Sequence, residues 1–305
     1  MTIIAILLAF ALCHFVRELG SLRKHEWLGH WISRAEELFG NLPAWNAFTG
    51  YAIILFIPLI GLALLNQLFM GLFGHIGVFL LGIAVLVYCF GQRDLDTQVA
   101  DIIDSNDDAQ RTQGLAALLR GEPPGDTTTC LTATVNAVFS ESLRRWFAVI
   151  FWFALLGIIG AFLYRIVDWL STEKCGLSAS HKHYFIRTRQ VLEWPVAQLM
   201  TLSLAIATDF DSVFIAWKKY HDEQGHGLFE GSLGFLLTAA QQIVLTGHAM
   251  NDGYADQLAD PALAQPGSHQ EATMAGLRQS MDLVWRILGV WMTALALLLL
   301  IDVIT

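Results

Sequence analysis

The stretch LFGNLPAWNAFTGYAIILFIPLIGLALLNQLFMGLFGHIGVFLLGIAVLVYCFGQ, residues 38–92, contains no Asp, Glu, Lys or Arg. It is more than twice the ~20 residues that one bilayer crossing needs, so it reads as two apolar helices joined by a turn. Residues 47–65 form one expected span and residues 76–90 the other, with Asn66, Gln67, Gly71, Gly74 and His75 as the turn between them. A third run, residues 146–164, is also uncharged and is bracketed by Arg144, Arg145 and Arg165. Shorter apolar runs at 2–16 and 287–301 are marginal for a crossing. No basic segment precedes the N-terminal run and no small-x-small cleavage pattern follows it, which favours a mature helix over a signal peptide.

Composition points the same way. The 305 residues are 55% hydrophobic and 15% charged, where an average soluble domain is roughly 25% charged. A net charge of −9 lacks the basic excess of a nucleic-acid reader, so no nucleic-acid partner is expected. Cys13, Cys89, Cys130 and Cys175 are scattered without CxxC spacing and imply neither disulfides nor a zinc site. There is no GxxxxGK[ST], no GxSxG and no HExxH, and no cofactor or metal is expected. The fold class is therefore all-α: a polytopic helical membrane protein, one integral domain over residues 1–305, with about four to six inserted segments and the lipid bilayer as its partner.

Lys and Arg are frequent in residues 17–45 and 93–145 and absent from the 66–75 turn, which makes the two flanking segments cytoplasmic and the turn external. Residues 165–190 are also basic, which a full crossing by 146–164 would place outside. Two readings stay open: the charge rule fails there, or the segment doubles back at Gly157-Ile158-Ile159-Gly160 as a re-entrant pair.

Among the polar segments, Leu95, Val99, Ile102 and Ile103 mark one face of an amphipathic helix, while Asp94, Asp101, Asp104 and Asp108 share another, read as a solvated stripe with divalent-metal binding as the alternative. Residues 121–126, with Pro123-Pro124-Gly125, break the chain before the next helix. Residues 194–208 read as a short span or buried helix that runs into an interfacial helix with Trp217 and Tyr220 at headgroup level. Residues 231–245 read as a helix and residues 246–272 as a loop, and His181-Lys182-His183 as a loop facing anionic headgroups.

Polar groups beside apolar runs are the candidates for function. His14 and Glu18 are four apart on one helical face, followed by His25, Glu26 and His30, a pattern able to build a metal site or proton relay as well as an ordinary charged helix end. Glu141, with Arg144 and Arg145 three and four residues on, is placed for local ion pairs. Asp209 and Asp211 fit interfacial solvation.

Residues 134–170, TVNAVFSESLRRWFAVIFWFALLGIIGAFLYRIVDWL, resemble the membrane-protein superfamily that includes AmpE and the cobalamin-pathway synthase CobD/CbiB. Three further pieces agree in order: Asn106-Asp107-Asp108-Ala109-Gln110-Arg111, Val191-Leu192-Glu193-Trp194-Pro195-Val196, and Ala272-Thr273-Met274-Ala275-Gly276. The second resembles the V-L-D-W-x-P-V stretch of the AmpE branch. The synthases carry E-N-x-x-D before the F-W-F-A-L-L-G phrase, where this chain has Ser140, Glu141 and Arg144. Paired aspartates of the synthases are likewise replaced in the stretch Arg189-Gln190-Val191.

The resemblance thus implies an AmpE-like inner-membrane regulator or sensor linked to β-lactamase induction and peptidoglycan recycling. Its implied partners are a cell-wall-derived small molecule and, functionally, the amidase AmpD. No catalytic residue is carried over. The ligand-binding candidates are Glu18, His30, Glu141, Arg144 and Arg165. An amide-forming synthase that keeps a polar pocket and a small-metabolite transporter are the alternatives.

Overall fold

The computed structural model describes residues 2–15, 26–42, 45–90, 95–105, 107–172, 177–224, 233–251 and 268–304, and the elements among them are all helices. In chain order they are α1 (Thr2–Phe15), α2 (Glu26–Phe39), α3 (Gly50–Cys89), α4 (Leu95–Ile103), α5 (Asp108–Leu119), α6 (Thr127–Ser142), α7 (Ala148–Leu170), α8 (Ala179–Ala207), α9 (Phe210–Gln224), α10 (Gly234–Asn251) and α11 (Ser268–Ile304). Single π-helical turns, Trp45–Thr49 and Leu143–Phe147, lead into α3 and α7. The helical stretches Gly50–Cys89, Thr127–Leu170 and Gln270–Leu298 are long and apolar enough to cross a membrane, as befits a polytopic all-α membrane protein. The chain divides into two compact units, Met1–Asp94 with Arg144–Glu193, and Leu95–Leu143 with Trp194–Thr305.

In the first unit, α3 and α7 each double back at one glycine. Gly74 has φ 59° and ψ −147°, and Gly157 has φ 65° and ψ −150°, a backbone region open essentially to glycine alone. In each helix a second glycine follows three residues later, at the first turn of the returning arm. A Cβ at Gly77 would lie 2.9 Å from the carbonyl oxygen of Phe69, and one at Gly160 would overlap that of Trp152. Those carbonyls lie eight residues back, about 12 Å away along an unbroken helix, so the returning arm is pressed against the one before it.

The α3 reversal matches the expected hairpin, with its turn narrowed to Gly74; Asn66 and Gln67 belong to the first arm instead. At helical rise that arm, residues 50–73, runs about 36 Å, and the return, residues 75–89, about 22 Å. The α7 reversal realises the re-entrant alternative. Arg165 Nη2 reaches the carbonyl of Arg144 at 3.5 Å, although 21 residues of straight helix would part them by about 31 Å.

A neighbouring helix is bonded to each hairpin. On α2, Leu28, Ile32 and Ala35 are buried while Arg34, Glu36 and Glu37 are exposed, as the i, i+4, i+7 spacing requires. From this helix Trp27 Nε1 donates to Tyr88 Oη (2.6 Å) and Trp31 Nε1 to the carbonyl of Ile54 (3.1 Å), joining the two arms of α3. Ile54 lies four residues before Pro58, whose missing N–H frees that carbonyl within the helix; the indole supplies the lost donor. Across α7, Trp152 Nε1 donates to the carbonyl of Leu192 (3.2 Å) just ahead of Pro195 in α8. His181 is not in a loop: it is buried in the first turn of α8, with Nε2 2.6 Å from the carbonyl of Trp45 and Nδ1 3.1 Å from Ser178 Oγ.

The second unit is built around α6, whose buried Leu131, Val135, Val138 and Phe139 face α10 and α11. Leu95, Val99 and Ile102 of α4 are buried as their spacing requires, and Asp101, Asp104 and Asp108 are exposed. Side-chain oxygens cap the helices: Asp107 accepts from Ala109 N, Asp126 from Thr129 N and Oγ1, and Asp209 from Ser212 N. The Ser212 bonds hold the exposed Asp209 carboxyl below its ordinary range. Polar pairs tie the long helices together, among them Gln241 Nε2 to Asn136 Oδ1 (2.6 Å), Trp291 Nε1 to Ser203 Oγ (3.0 Å) and Trp285 Nε1 to Asp96 Oδ1 (3.0 Å). Residues 246–251 and 268–272, expected in a loop, are helical ends of α10 and α11; residues 252–267 lie outside the described set.

Candidate functional site

Two of the five residues singled out from the sequence, Arg144 and Arg165, come together at the base of the α7 hairpin. Arg165 is buried and each of its guanidinium nitrogens has an acceptor: Nε donates to the carbonyl of Cys89 (2.6 Å), Nη1 to Asp168 Oδ2 (3.1 Å), and Nη2 to the Arg144 carbonyl. Arg144 sits in the π-turn, where an inserted residue re-aims side chains relative to a regular helix. Its Nε donates to Glu193 Oε1 at 3.0 Å, and the same oxygen accepts from Tyr164 Oη at 3.3 Å.

Arg189 precedes Glu193 by one turn of α8. Its Nε lies 3.7 Å from Glu193 Oε1 and its Nη1 3.9 Å from Asp168 Oδ1. That Nε is buried and makes no hydrogen bond. The cluster therefore sets three guanidinium groups against two carboxylates. Burial pushes the Glu193 carboxyl above its ordinary range, while Arg144 and then Arg189 draw it back. Such a group, partly closed to water and with one positive charge in excess, is suited to holding an anion. Among the described residues no group of three or more His, Cys, Asp or Glu side chains is disposed to hold a metal ion.

The other three candidates are elsewhere. Glu141 is buried in the second unit and accepts from Arg120 Nη2 at 2.6 Å. Arg120 caps α5 in the left-handed region (φ 57°, ψ 28°) and keeps a largely exposed side chain while reaching that buried carboxylate. His30 is exposed on α2. Glu18 and His25 lie outside the described residues, as does the side chain of His14.

Tyr164, Asp168, Arg189 and Glu193 were not singled out as ligand groups from the sequence. Two local signals were present: Arg165 and Asp168 are three apart, and Arg189 and Glu193 four apart, both spacings of neighbours on a helix. The pairing of Arg144 with Glu193 spans 49 residues and has no local signal.

A family model described as CobD/Cbib protein matches residues 3–226, most of the chain and all of the charged cluster. No curated protein and no solved structure matches it.

Proposed function

The chain belongs to the CobD/CbiB family, and on that footing we propose that it is a multi-pass inner-membrane regulator or sensor of the AmpE type. In this reading it serves β-lactamase induction and peptidoglycan recycling, answers to a cell-wall-derived small molecule, and works alongside the amidase AmpD. One observation carries the reading. In the two stretches where the amide-forming synthases are expected to hold acids, this chain places Arg144 and Arg189, and both arginines face Glu193. Carboxylates free to activate an amine or bind a metal-bound phosphate are thereby exchanged for cations already facing a carboxylate. Arg144 and Arg165 are the proposed ligand groups, with Glu18, His30 and Glu141 as further ones.

A clean deletion in a host with an inducible β-lactamase tests the reading. Altered induction and altered muropeptide pools are expected, and no change in either would remove it. In favour of the synthase reading stand the family match itself and the buried Glu141, which directly follows Ser140 ahead of the F-W-F-A-L-L-G phrase. Thermal unfolding of the purified protein separates the two, because a ligand that prefers the folded state raises Tm. Anhydromuropeptides should raise it under the regulator reading, and ATP with Mg²⁺ or a cobinamide under the synthase reading.

A further inference from the structure

We propose that the arginine cluster at the base of the α7 hairpin binds the phosphodiester of a membrane phospholipid, with Arg189 as the principal donor. Depth is the first argument. From the reversal at Gly157, helical rise carries the chain about 12 Å to Arg165 and about 20 Å to Arg144, against a hydrocarbon core of about 30 Å. The residues at the tip are apolar, and Leu155, Leu156 and Ile159 are exposed there. A tip inserted in hydrocarbon therefore brings its charged base to the level of the headgroups of the leaflet it enters.

Charge is the second. Arg144, Arg165 and Arg189 exceed Asp168 and Glu193 by one positive charge, in a chain whose net charge is −9. A phosphodiester carries one negative charge at neutral pH and closes that balance. The third argument is the idle donor. Arg165 has its hydrogen bonds, whereas Arg189 has long approaches to Glu193 and Asp168 and a buried Nε bonded to nothing. A buried donor without an acceptor is unfavourable, and a phosphate oxygen supplies the acceptor. Val191, exposed on the same helix, and the exposed leucines of the tip give the acyl chains apolar surface beside the site, which a soluble diester would leave uncovered. The lipid would share Arg144 and Arg165 with the ligand of the regulatory reading, but the inference does not rest on that reading: its test is lipid retention by the purified protein, on which deletion phenotypes do not bear.

The test uses the full chain, purified in detergent and stripped of lipid, with three probes: dioleoylphosphatidylglycerol, dioleoylglycerol and glycerophosphoglycerol. Native mass spectrometry should retain phosphatidylglycerol as a one-to-one adduct, and that lipid should raise Tm by a few degrees. Dioleoylglycerol, with the same chains and no phosphate, should do neither. Arg189→Gln should weaken retention roughly tenfold or more, the loss expected for a charged hydrogen bond. Equal effects of phosphatidylglycerol and dioleoylglycerol would overturn the proposal by showing that apolar surface alone is read. A response to glycerophosphoglycerol as strong as to the lipid would overturn the lipid source and leave a soluble anion. Retention in Arg189→Gln equal to the parent would overturn the role of that residue. Should this variant fail to fold, the three probes on the parent protein still decide the matter.

Discussion

The α3 and α7 hairpins share a turn and differ in how their bases are closed. Gly74 and Gly157 agree within a few degrees in φ and ψ, and each is followed after two residues by a glycine packed on the incoming arm. The base of the α3 hairpin is then closed by neutral hydrogen bonds from two tryptophans of α2, and the base of the α7 hairpin by ion pairs reaching α8. Arm length follows the same division. The first arm of α3 exceeds the hydrocarbon thickness, whereas the apolar arms of α7 fall well short of it. A single local device thus serves both a long hairpin and a short one.

The largest expected break in this comparison is at the charged base. Glu193→Ala leaves Arg144 and Arg189 facing a vacated buried position and should lower stability by about 3 kcal/mol, the low end for a broken buried pair because both arginines keep some exposure. Denaturant unfolding in detergent measures it. Next come the turns. Gly157→Ala and Gly74→Ala should each lose about 1–3 kcal/mol by forcing a side chain into a glycine-only conformation. Nothing lies within contact of a Cβ at either position, so the two losses should be alike. Unequal losses would mean that the turns are not equivalent.

At the neutral base, Trp31→Phe keeps the ring and removes the donor to Ile54, with an expected loss of about 1 kcal/mol. The smallest effect separates the bases by pH. Because the folded protein holds the Glu193 proton more tightly than the unfolded chain does, stability should fall as pH rises from the ordinary carboxylate range through the raised value. Tm measured across that window should show the fall in the parent and not in Glu193→Gln, while Trp31→Phe should keep it.

Much of this was legible in the sequence. An uncharged run of more than two spans dictates a hairpin, and Gly157-Ile158-Ile159-Gly160 marks the second reversal as clearly as Gly74-His75-Ile76-Gly77 marks the first. Hydropathy alone could not choose between a crossing and a return for residues 146–164, because both bury the same side chains. The site was half legible. Arg144 and Arg165 stand out by flanking an apolar run, but Glu193 acquires its role only when α8 is laid across α7. His181 reads as a loop residue for a similar reason: its burial depends on the carbonyl of Trp45, 136 residues earlier. The helical ends at 246–251 and 268–272 are hidden by glycine and polar composition, which read as loop.

The pairing of Trp31 with Pro58 has a consequence for the order of synthesis. Trp31 donates to the Ile54 carbonyl that Pro58 leaves without its helical donor, and it stands earlier in the chain than either. The indole is therefore made before the carbonyl it covers and before the proline that frees it. The weak point of α3 is added to a chain that already holds its remedy.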